Sequence, residues 1–186
     1  RGDHALLVAD TGAGKTLAGF LPTLAAFTPS RLGDLTPPDG LHTIYVSPLK
    51  ALAQDVARNL LAPIDEMGLP IRVETRSGDT SSDRKRRQRE KPPHVLLTTP
   101  ESLFATGKRG DLLALCLARL QAIAPEMQRA ALSATVANEE GFRAWLAPWG
   151  EIDRVAVVQG EPGAPPEVEI LLPDENRVPW GGHAAT

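Results

Sequence analysis

The residues best suited to chemistry in this 186-residue sequence lie near its start, at positions 9–16, which read ADTGAGKT. The octapeptide follows the pattern G-x-x-x-x-G-K-[ST] except that an alanine takes the first position, where any small residue suffices. Gly12 and Gly14 allow the backbone to curl so that successive N–H groups face phosphate oxygens. Lys15 can then contact the β- and γ-phosphates, and Thr16 can offer a hydroxyl to Mg²⁺. The pattern therefore predicts a nucleotide-phosphate site.

A glycine-rich turn can also do no more than join a strand to a helix. Here, residues 5–9 form an apolar run typical of a buried strand, and residues 17–27 have the character of a helix. A strand before the loop and a helix after it are the context that supports phosphate binding. Asp10 departs from the expected chemistry, because a carboxylate beside phosphates is electrostatically unfavourable.

The composition is that of a soluble globular domain, with 42% hydrophobic and 23% charged residues. The net charge of −3 excludes a protein that coats nucleic acid by bulk charge, so such binding must use local patches. The one cysteine, Cys116, can form no internal disulfide and is expected in the core. No leader and no apolar run of about 18 residues is found, so a cytoplasmic location is expected. The sequence begins at Arg1 rather than Met and is expected to be part of a longer protein.

Short apolar runs alternate with segments of helical spacing, which is typical of an α/β fold with a parallel sheet and helices on both faces. Strands are predicted at residues 5–9, 43–47, 71–75, 95–99 and 129–133. Helices are predicted at residues 15–27, 49–67, 81–90, 111–120 and 138–146. Because ligands of such sheets bind at the carboxyl ends of the strands, the motifs found there are candidates for the site.

The sequence predicts two regions. Residues 1–149 form the expected nucleotide-binding domain, and residues 150–186 form an exit segment and linker. Five prolines after position 160 favour a linker, although strands at 155–158 and 168–172 are possible.

Four further motifs lie at or just after the ends of predicted strands. They are SPLKAL at 47–52, RSGD at 76–79, TTPE at 98–101 and SAT at 133–135. Taken singly, the first is typical of a turn, and the third of a helix that begins with Thr99 as N-cap and Pro100 at the first position. Together they offer backbone amides, a lysine and short hydroxyls, which suit contacts to nucleic-acid phosphates without sequence recognition.

With the octapeptide, these motifs resemble the first motor domain of superfamily 2 helicases, over nearly the whole chain. The resemblance is greatest to the DExH-box, large-helicase-related group that is associated with a DNA ligase in the bacterial DNA-damage response. That group leaves its first domain through a similar proline-rich tail. The resemblance implies a RecA-like P-loop NTPase fold and an ATP-dependent 3′→5′ DNA helicase activity in DNA repair.

The resemblance also implies a role for each motif. Lys15 and Thr16 are the implied catalytic residues, and Thr16 is the implied Mg²⁺ ligand. ATP contacts are implied for Thr11, Gly12, Ala13, Gly14, Lys15 and Thr16. A path for one strand of single-stranded or forked DNA is implied along Pro48, Lys50, Gly78, Asp79, Thr99 and Pro100. Coupling of the nucleotide state to strand separation is implied for Ser133, Ala134 and Thr135. The implied partners are a second motor domain, which this chain lacks, and a DNA ligase, with no membrane.

One expected motif is absent from the sequence. A helicase of this type should carry an apolar strand ending in Asp-Glu-x-His between the TTPE and SAT motifs, and this chain has none. A block is expected to be missing near residues 103–104, which would leave a gap in the middle of the sheet and unpaired strand edges. The lost Asp helps to hold Mg²⁺ and the lost Glu orients the attacking water, so binding of ATP is expected but not its hydrolysis.

The basic run at residues 84–91 carries six cations and is either a solvated helix face or a contact to a DNA backbone. The four histidines lack metal-ligand spacing, so zinc is not expected. Two other functions remain open. A non-catalytic ATP- or DNA-binding fragment agrees with the absent Asp-Glu-x-His, and a P-loop kinase of a small metabolite explains the octapeptide but not the later motifs.

Overall fold

The computed structural model describes residues 4–28, 39–103 and 109–161 of the chain. Twelve strands and α-helices follow one another in these ranges. They are β1 (His4–Val8), α1 (Lys15–Phe27), β2 (Thr43–Val46), α2 (Lys50–Glu66), β3 (Val73–Arg76), α3 (Ser82–Glu90), β4 (Val95–Thr98), α4 (Pro100–Leu103), α5 (Arg109–Ile123), β5 (Ala130–Ser133), α6 (Glu139–Leu146) and β6 (Val155–Gln159). The alternating α/β order predicted from the sequence is therefore confirmed, and the possible strand at 168–172 lies outside the described residues.

The strands form two parallel sheets of three strands each, with the orders β5-β1-β6 and β2-β4-β3. The possible strand at 155–158 is β6, which pairs with β1 from His4 to Val8. The third predicted strand begins two residues later than expected, at Val73, because Ile71 is a buried core residue in the turn before it. The segment after residue 149 therefore contributes a strand to the first sheet.

Helix α1 packs against both sheets. A Cβ atom placed on Gly19 would lie 3.2 Å from a methyl group of Leu132 in β5. The neighbouring Phe20 has its ring centroid 5.5 Å from that of Tyr45 in β2, and the Thr23 hydroxyl lies 2.8 Å from that of Thr43. The edges of the two sheets, β5 and β2, are thus covered by the same helix.

Within the described ranges, β5 and β2 each pair on one side only. The predicted interruption of the sheet is therefore present, and it lies between these two edges. Residues 104–108, at the predicted position of the missing block, lie outside the described ranges.

Two hydrophobic cores hold the elements in place. The larger core joins α1, α2 and the second sheet, and α2 contributes Ala53, Val56, Leu60 and Ile64 at helical spacing. The smaller core packs β1 and β6 against α6. All four residues of β4 are buried, as expected for the central strand of a parallel sheet. Cys116 is also buried, which confirms its predicted place, and burial raises the pKa of its thiol.

Two buried histidines cap the starts of strands. The Nδ1 atom of His4 accepts the backbone N–H of Arg129 at 3.0 Å, and that of His94 accepts the backbone N–H of Arg72 at 3.1 Å. His94 also lies against the ring of Phe27, with a centroid distance of 4.9 Å. Each Nδ1 can accept this bond only while it carries no proton. Both histidines therefore have a structural role in the described fold.

The stability of the fold should fall at acidic pH because of His94. Burial and the charge of Arg72 lower the pKa of His94 below its usual 6.5, so the unfolded chain takes up a proton more readily. The free energy of unfolding should be level above about pH 6.5 and fall as the pH decreases through the folded-state pKa, by on the order of 1 kcal/mol for one lost hydrogen bond. Urea unfolding between pH 8 and pH 5 tests this. His94→Asn keeps an acceptor without a titrating group and should show a smaller decline; an equal decline would contradict the assignment.

Candidate nucleotide and nucleic-acid sites

The octapeptide forms the loop between the carboxyl end of β1 and the start of α1. Gly12 and Gly14 have φ angles of 88° and 75°, in the left-handed region that strains other residues. The backbone N–H of Ala13 donates to the carbonyl of Asp10 at 3.1 Å, which closes the turn. A Cβ on either glycine would meet no atom within 4 Å, so open space adjoins the loop on these sides. The loop is thus shaped by its glycines and has room for a ligand.

The start of α1 is suited to an anion. Gly14 is the N-cap and provides no side-chain hydrogen bond, and the first turn carries no acidic residue. Its N–H groups therefore remain available, and the helix dipole adds partial positive charge. The Nζ atom of Lys15 donates to the carbonyl oxygens of Ala9 and, at 2.5 Å, of Asp10. The ammonium group lies against the same loop, and these residues fit the phosphates of a nucleotide.

Thr16 is half-buried directly after Lys15. In the part of the chain that the structure describes, no group of three or more His, Cys, Asp or Glu side chains has an arrangement that could hold a metal ion. A hydroxyl and phosphate oxygens are hard ligands of the kind that Mg²⁺ accepts, and Mg²⁺ usually retains several waters. The Thr16 hydroxyl is a ligand of the kind that would suit a magnesium ion bound to the phosphates of a nucleotide.

The SAT motif lies beside the phosphate loop. Strands β1 and β5 pair so that Val8 is opposite Ser133. The backbone N–H of Ala9, at the start of the loop, donates to the carbonyl of Ser133 at 3.2 Å. The Ser133 hydroxyl donates to the carbonyl of Thr135 at 2.6 Å, and Ala134 and Thr135 are exposed. A displacement of the loop would therefore reach this motif through the backbone.

The predicted nucleic-acid residues gather at the carboxyl edge of the second sheet. Pro48 and Lys50 follow β2, Gly78 and Asp79 follow β3, and Thr99 and Pro100 follow β4. A cleft at this edge is lined by Lys50, Ala53, Gln54, Thr75, Arg76, Ser77, Leu97 and Thr99. The structure thus brings Lys50 and Thr99 into one cleft, next to the loop that contains Gly78 and Asp79.

The TTPE motif also begins a helix, as its alternative interpretation predicts. Pro100 is the first residue of α4, and the backbone N–H of Ser102 donates to the carbonyl of Thr99 at 3.0 Å. The hydroxyls of Thr99 and Ser102 lie 3.1 Å apart. The TTPE motif therefore both begins helix α4 and contributes Thr99 to the cleft.

The cleft residues that were not selected individually from the sequence include Gln54, Arg76 and Ser77. Gln54 lies four residues after Lys50 on α2, and this helical spacing would have placed both on one face. The backbone N–H of Ser77 donates to the hydroxyl of Thr80 at 2.9 Å, which holds the loop after β3.

The basic run forms α3, and several of its cations have partners. Arg84 contacts Glu74 at 3.0 Å, and Arg86 contacts Asp83 at 3.0 Å. Lys85 donates to the carbonyl of Gly78 at 3.2 Å. Burial raises the pKa of Glu74, but hydrogen bonds from Gln88 and Arg84 outweigh burial and keep that pKa below its usual range. These contacts anchor α3 to β3 and to the loop beside the cleft.

No helix in the described ranges is long and apolar enough to cross a membrane.

The family model described as DEAD/DEAH box helicase matches residues 1–109. The Lhr helicase/probable uracil glycosylase of Mycolicibacterium smegmatis is 40% identical, over 78% of this chain and 12% of that protein. The Lhr helicase/uracil glycosylase of Escherichia coli is 34% identical, over 95% of this chain and 14% of that protein. The chain thus spans less than a sixth of the length of these relatives.

A solved structure of the Mycobacterium smegmatis helicase Lhr bound to ssDNA and AMP-PNP is similar to this chain, with a TM-score of 0.69 and 36% identity. The similarity covers 87% of this chain and 24% of that chain. The RecA-like fold implied by the sequence motifs is therefore confirmed.

The alignments also contain positions that this chain lacks. The M. smegmatis alignment is 184 positions long but includes 78% of the 186 residues, about 145, so about 39 positions have no counterpart here. The E. coli alignment is 215 positions long and includes 95% of the chain, about 177 residues, which leaves about 38. Each of the two relatives thus contains, within the aligned region, nearly 40 residues that this sequence lacks.

Proposed function

The chain belongs to the DEAD/DEAH box helicase family, and we propose that it acts as the ATP- and DNA-binding first motor domain of a helicase similar to the Lhr proteins. One observation carries the proposal. The phosphate loop, with Lys15 against it, is hydrogen-bonded through Ala9 to the SAT motif at Ser133. The proposed nucleotide-binding loop and the proposed coupling motif are therefore joined by a backbone hydrogen bond.

We propose ATP as the nucleotide, with Mg²⁺ bound by its phosphates and by the hydroxyl of Thr16. The relative whose structure resembles this chain was solved with AMP-PNP, an ATP analogue, and its match includes 87% of this chain. The open loop, the uncapped start of α1 and Lys15 support the same assignment. A P-loop kinase of a small metabolite is disfavoured, since the helicase family model extends through residue 109.

We propose that the cleft at the carboxyl edge of the second sheet binds the sugar-phosphate backbone of single-stranded DNA. Lys50 and Arg76 supply positive charge there, and Ser77 and Thr99 supply hydroxyls. Such groups position a strand without reading its bases. The structural relative was solved with ssDNA, which supports the same class of ligand. We also propose a ligase-associated repair setting, which the resemblance of the proline-rich tail supports.

A non-catalytic role is the second candidate, and the sequence favours it by one specific feature. No Asp-Glu-x-His occurs between residues 101 and 133, and the relatives contain nearly 40 residues that this chain lacks. We propose that the segment of nearly 40 residues that this chain lacks is the one that would contain Asp-Glu-x-His. The domain would then bind ATP and DNA without turning ATP over.

Binding of single-stranded DNA tests the proposal. Two short oligonucleotides of different sequence should bind with similar affinity, and each phosphate contact should contribute about −0.7 to the slope of log affinity against log salt. Arg76→Gln should make that slope shallower by about 0.7, whereas Arg58→Gln, on the exposed side of α2 and outside the cleft, should leave it unchanged. Fluorescence anisotropy at several salt concentrations measures both quantities. Absence of binding, or equal effects of the two variants, would refute the proposed cleft.

A further inference from the structure

An ion pair lies across the proposed nucleic-acid path. The Nζ atom of Lys50 donates to Oδ2 of Asp79, although the two residues are 29 positions apart in sequence. Lys50 begins α2, after β2, and Asp79 lies in the loop after β3. Strand β4 runs between β2 and β3 in the sheet, so the two partners come from elements on either side of it. The ion pair therefore spans the end of the central strand.

The residue that follows β4 lies in the cleft beside this ion pair. Thr99 lines the cleft together with Lys50, and the loop of Asp79 borders it through Ser77. A strand of DNA that contacts Thr99 must pass the same place. The Lys50 side chain is 48% exposed and that of Asp79 is 76% exposed, so both are accessible to such a strand.

The ion pair is weak enough to open. Exposed salt bridges contribute little to stability because water and salt screen them and two long side chains must be ordered. Hydrogen bonding and attraction from Lys50 lower the pKa of the Asp79 carboxyl, so it carries its charge at neutral pH. A phosphate diester is also an anion with oxygen acceptors and can take the place of this carboxylate beside the ammonium group. A second cation, Lys85, lies close to Asp79 and donates to the adjacent Gly78 carbonyl.

We propose that the Lys50–Asp79 ion pair is a latch on the nucleic-acid path. Asp79 holds Lys50 while no strand is bound, and a phosphate of the incoming strand displaces Asp79 from Lys50. The inference rests on the proposed function of the cleft and adds a competitor built into it. Asp79 thus limits the affinity of the cleft, whereas the family resemblance implies that it contacts DNA directly.

The latch predicts that Asp79→Asn binds single-stranded DNA more tightly than the wild type. The gain should be about two- to five-fold at low salt, because the opposing ion pair is an exposed one. The salt slope should become steeper by up to about 0.7, since Lys50 then neutralises a phosphate without leaving a carboxylate behind. Anisotropy with the same oligonucleotides and full-length chain measures both effects.

Two variants isolate the latch from a general change of charge. Asp83→Asn removes a similarly exposed carboxylate from the neighbouring α3, where it pairs with Arg86, and should leave affinity nearly unchanged. Lys50→Gln should abolish the gain, so that Lys50→Gln and Lys50→Gln/Asp79→Asn bind alike. Equal gains in DNA affinity from Asp79→Asn and Asp83→Asn, or weaker DNA binding by Asp79→Asn, would refute the latch but leave the proposed cleft in place. Failure of both wild type and Asp79→Asn to bind would overturn the proposed cleft together with the latch.

Discussion

ATP added to this protein is expected to bind without being turned over at more than about 0.1 per second. A typical enzyme turns over about 10 times per second, and loss of a general base costs about 10²- to 10⁴-fold in rate. The sequence lacks Asp-Glu-x-His, and among the described residues no group of three or more His, Cys, Asp or Glu side chains could hold a metal ion. The phosphate loop can therefore hold phosphates, but the Glu of Asp-Glu-x-His that would orient the attacking water is absent from the sequence.

Steady-state phosphate release, with and without single-stranded DNA, measures this deficit. ATP binding is measured separately by titration of the same sample, so that a lack of turnover is not confused with a lack of binding. Turnover of several per second that Lys15→Ala removes would contradict the prediction. The carboxylate to test next would then be Asp10, which is exposed in the phosphate loop, and Asp10→Asn should remove the activity if Asp10 serves as the base.

The phosphate loop was predictable from the sequence because its requirements are local. Gly12 and Gly14 are needed where the backbone takes positive φ angles, and Lys15 must follow at once to lie against the loop. Helix α2 was predictable for a similar reason, since its buried residues recur with a helical period. Where a local conformation depends on neighbours along the chain, their spacing is sufficient to predict it.

Contacts between distant segments were not predictable from spacing. The hydrogen bond from Ala9 to Ser133 depends on the pairing of β1 with β5, and the Lys50–Asp79 ion pair depends on β4 running between β2 and β3. Strand order is set by packing across the whole sheet, and the sequence of a single strand does not specify which strands pair with it. The motif containing Asp79 was therefore assigned to the correct edge, but its competition for Lys50 required the structure.

The late start of β3 has a similar cause. Ile71 has the β-branched character of a strand residue, yet its backbone N–H donates to Leu69 in a turn and its side chain is buried in the core. Propensity describes the residue by itself, whereas tertiary packing decided its conformation.

Lys15→Ala is expected to weaken ATP binding by about 10- to 150-fold, which corresponds to a charged hydrogen bond worth about 1.5–3 kcal/mol. The ammonium group lies against the loop carbonyls of Ala9 and Asp10, so it is already positioned where a phosphate would meet the start of α1. A bound triphosphate offers that ammonium a charged acceptor in place of neutral carbonyls, and charge-assisted hydrogen bonds are the stronger kind. The affinity should depend on this one side chain more than on any other in the loop.

A matched pair of variants separates the loss of this contact from the loss of a surface charge. Lys91→Ala changes the net charge equally at the exposed end of α3 and should leave ATP affinity unchanged. Lys15→Gln retains most of the side chain's length without its charge, so it should resemble Lys15→Ala if the charge is what binds phosphate. Thermal melts check that all three variants keep the wild-type fold. We expect that they do, because Lys15 is only half-buried and its removal leaves no core cavity. Unchanged ATP affinity in Lys15→Ala would contradict the placement of the nucleotide at this loop. Equal losses of ATP affinity in Lys15→Ala and Lys91→Ala would show that the loss comes from the change in net charge and not from a contact to phosphate.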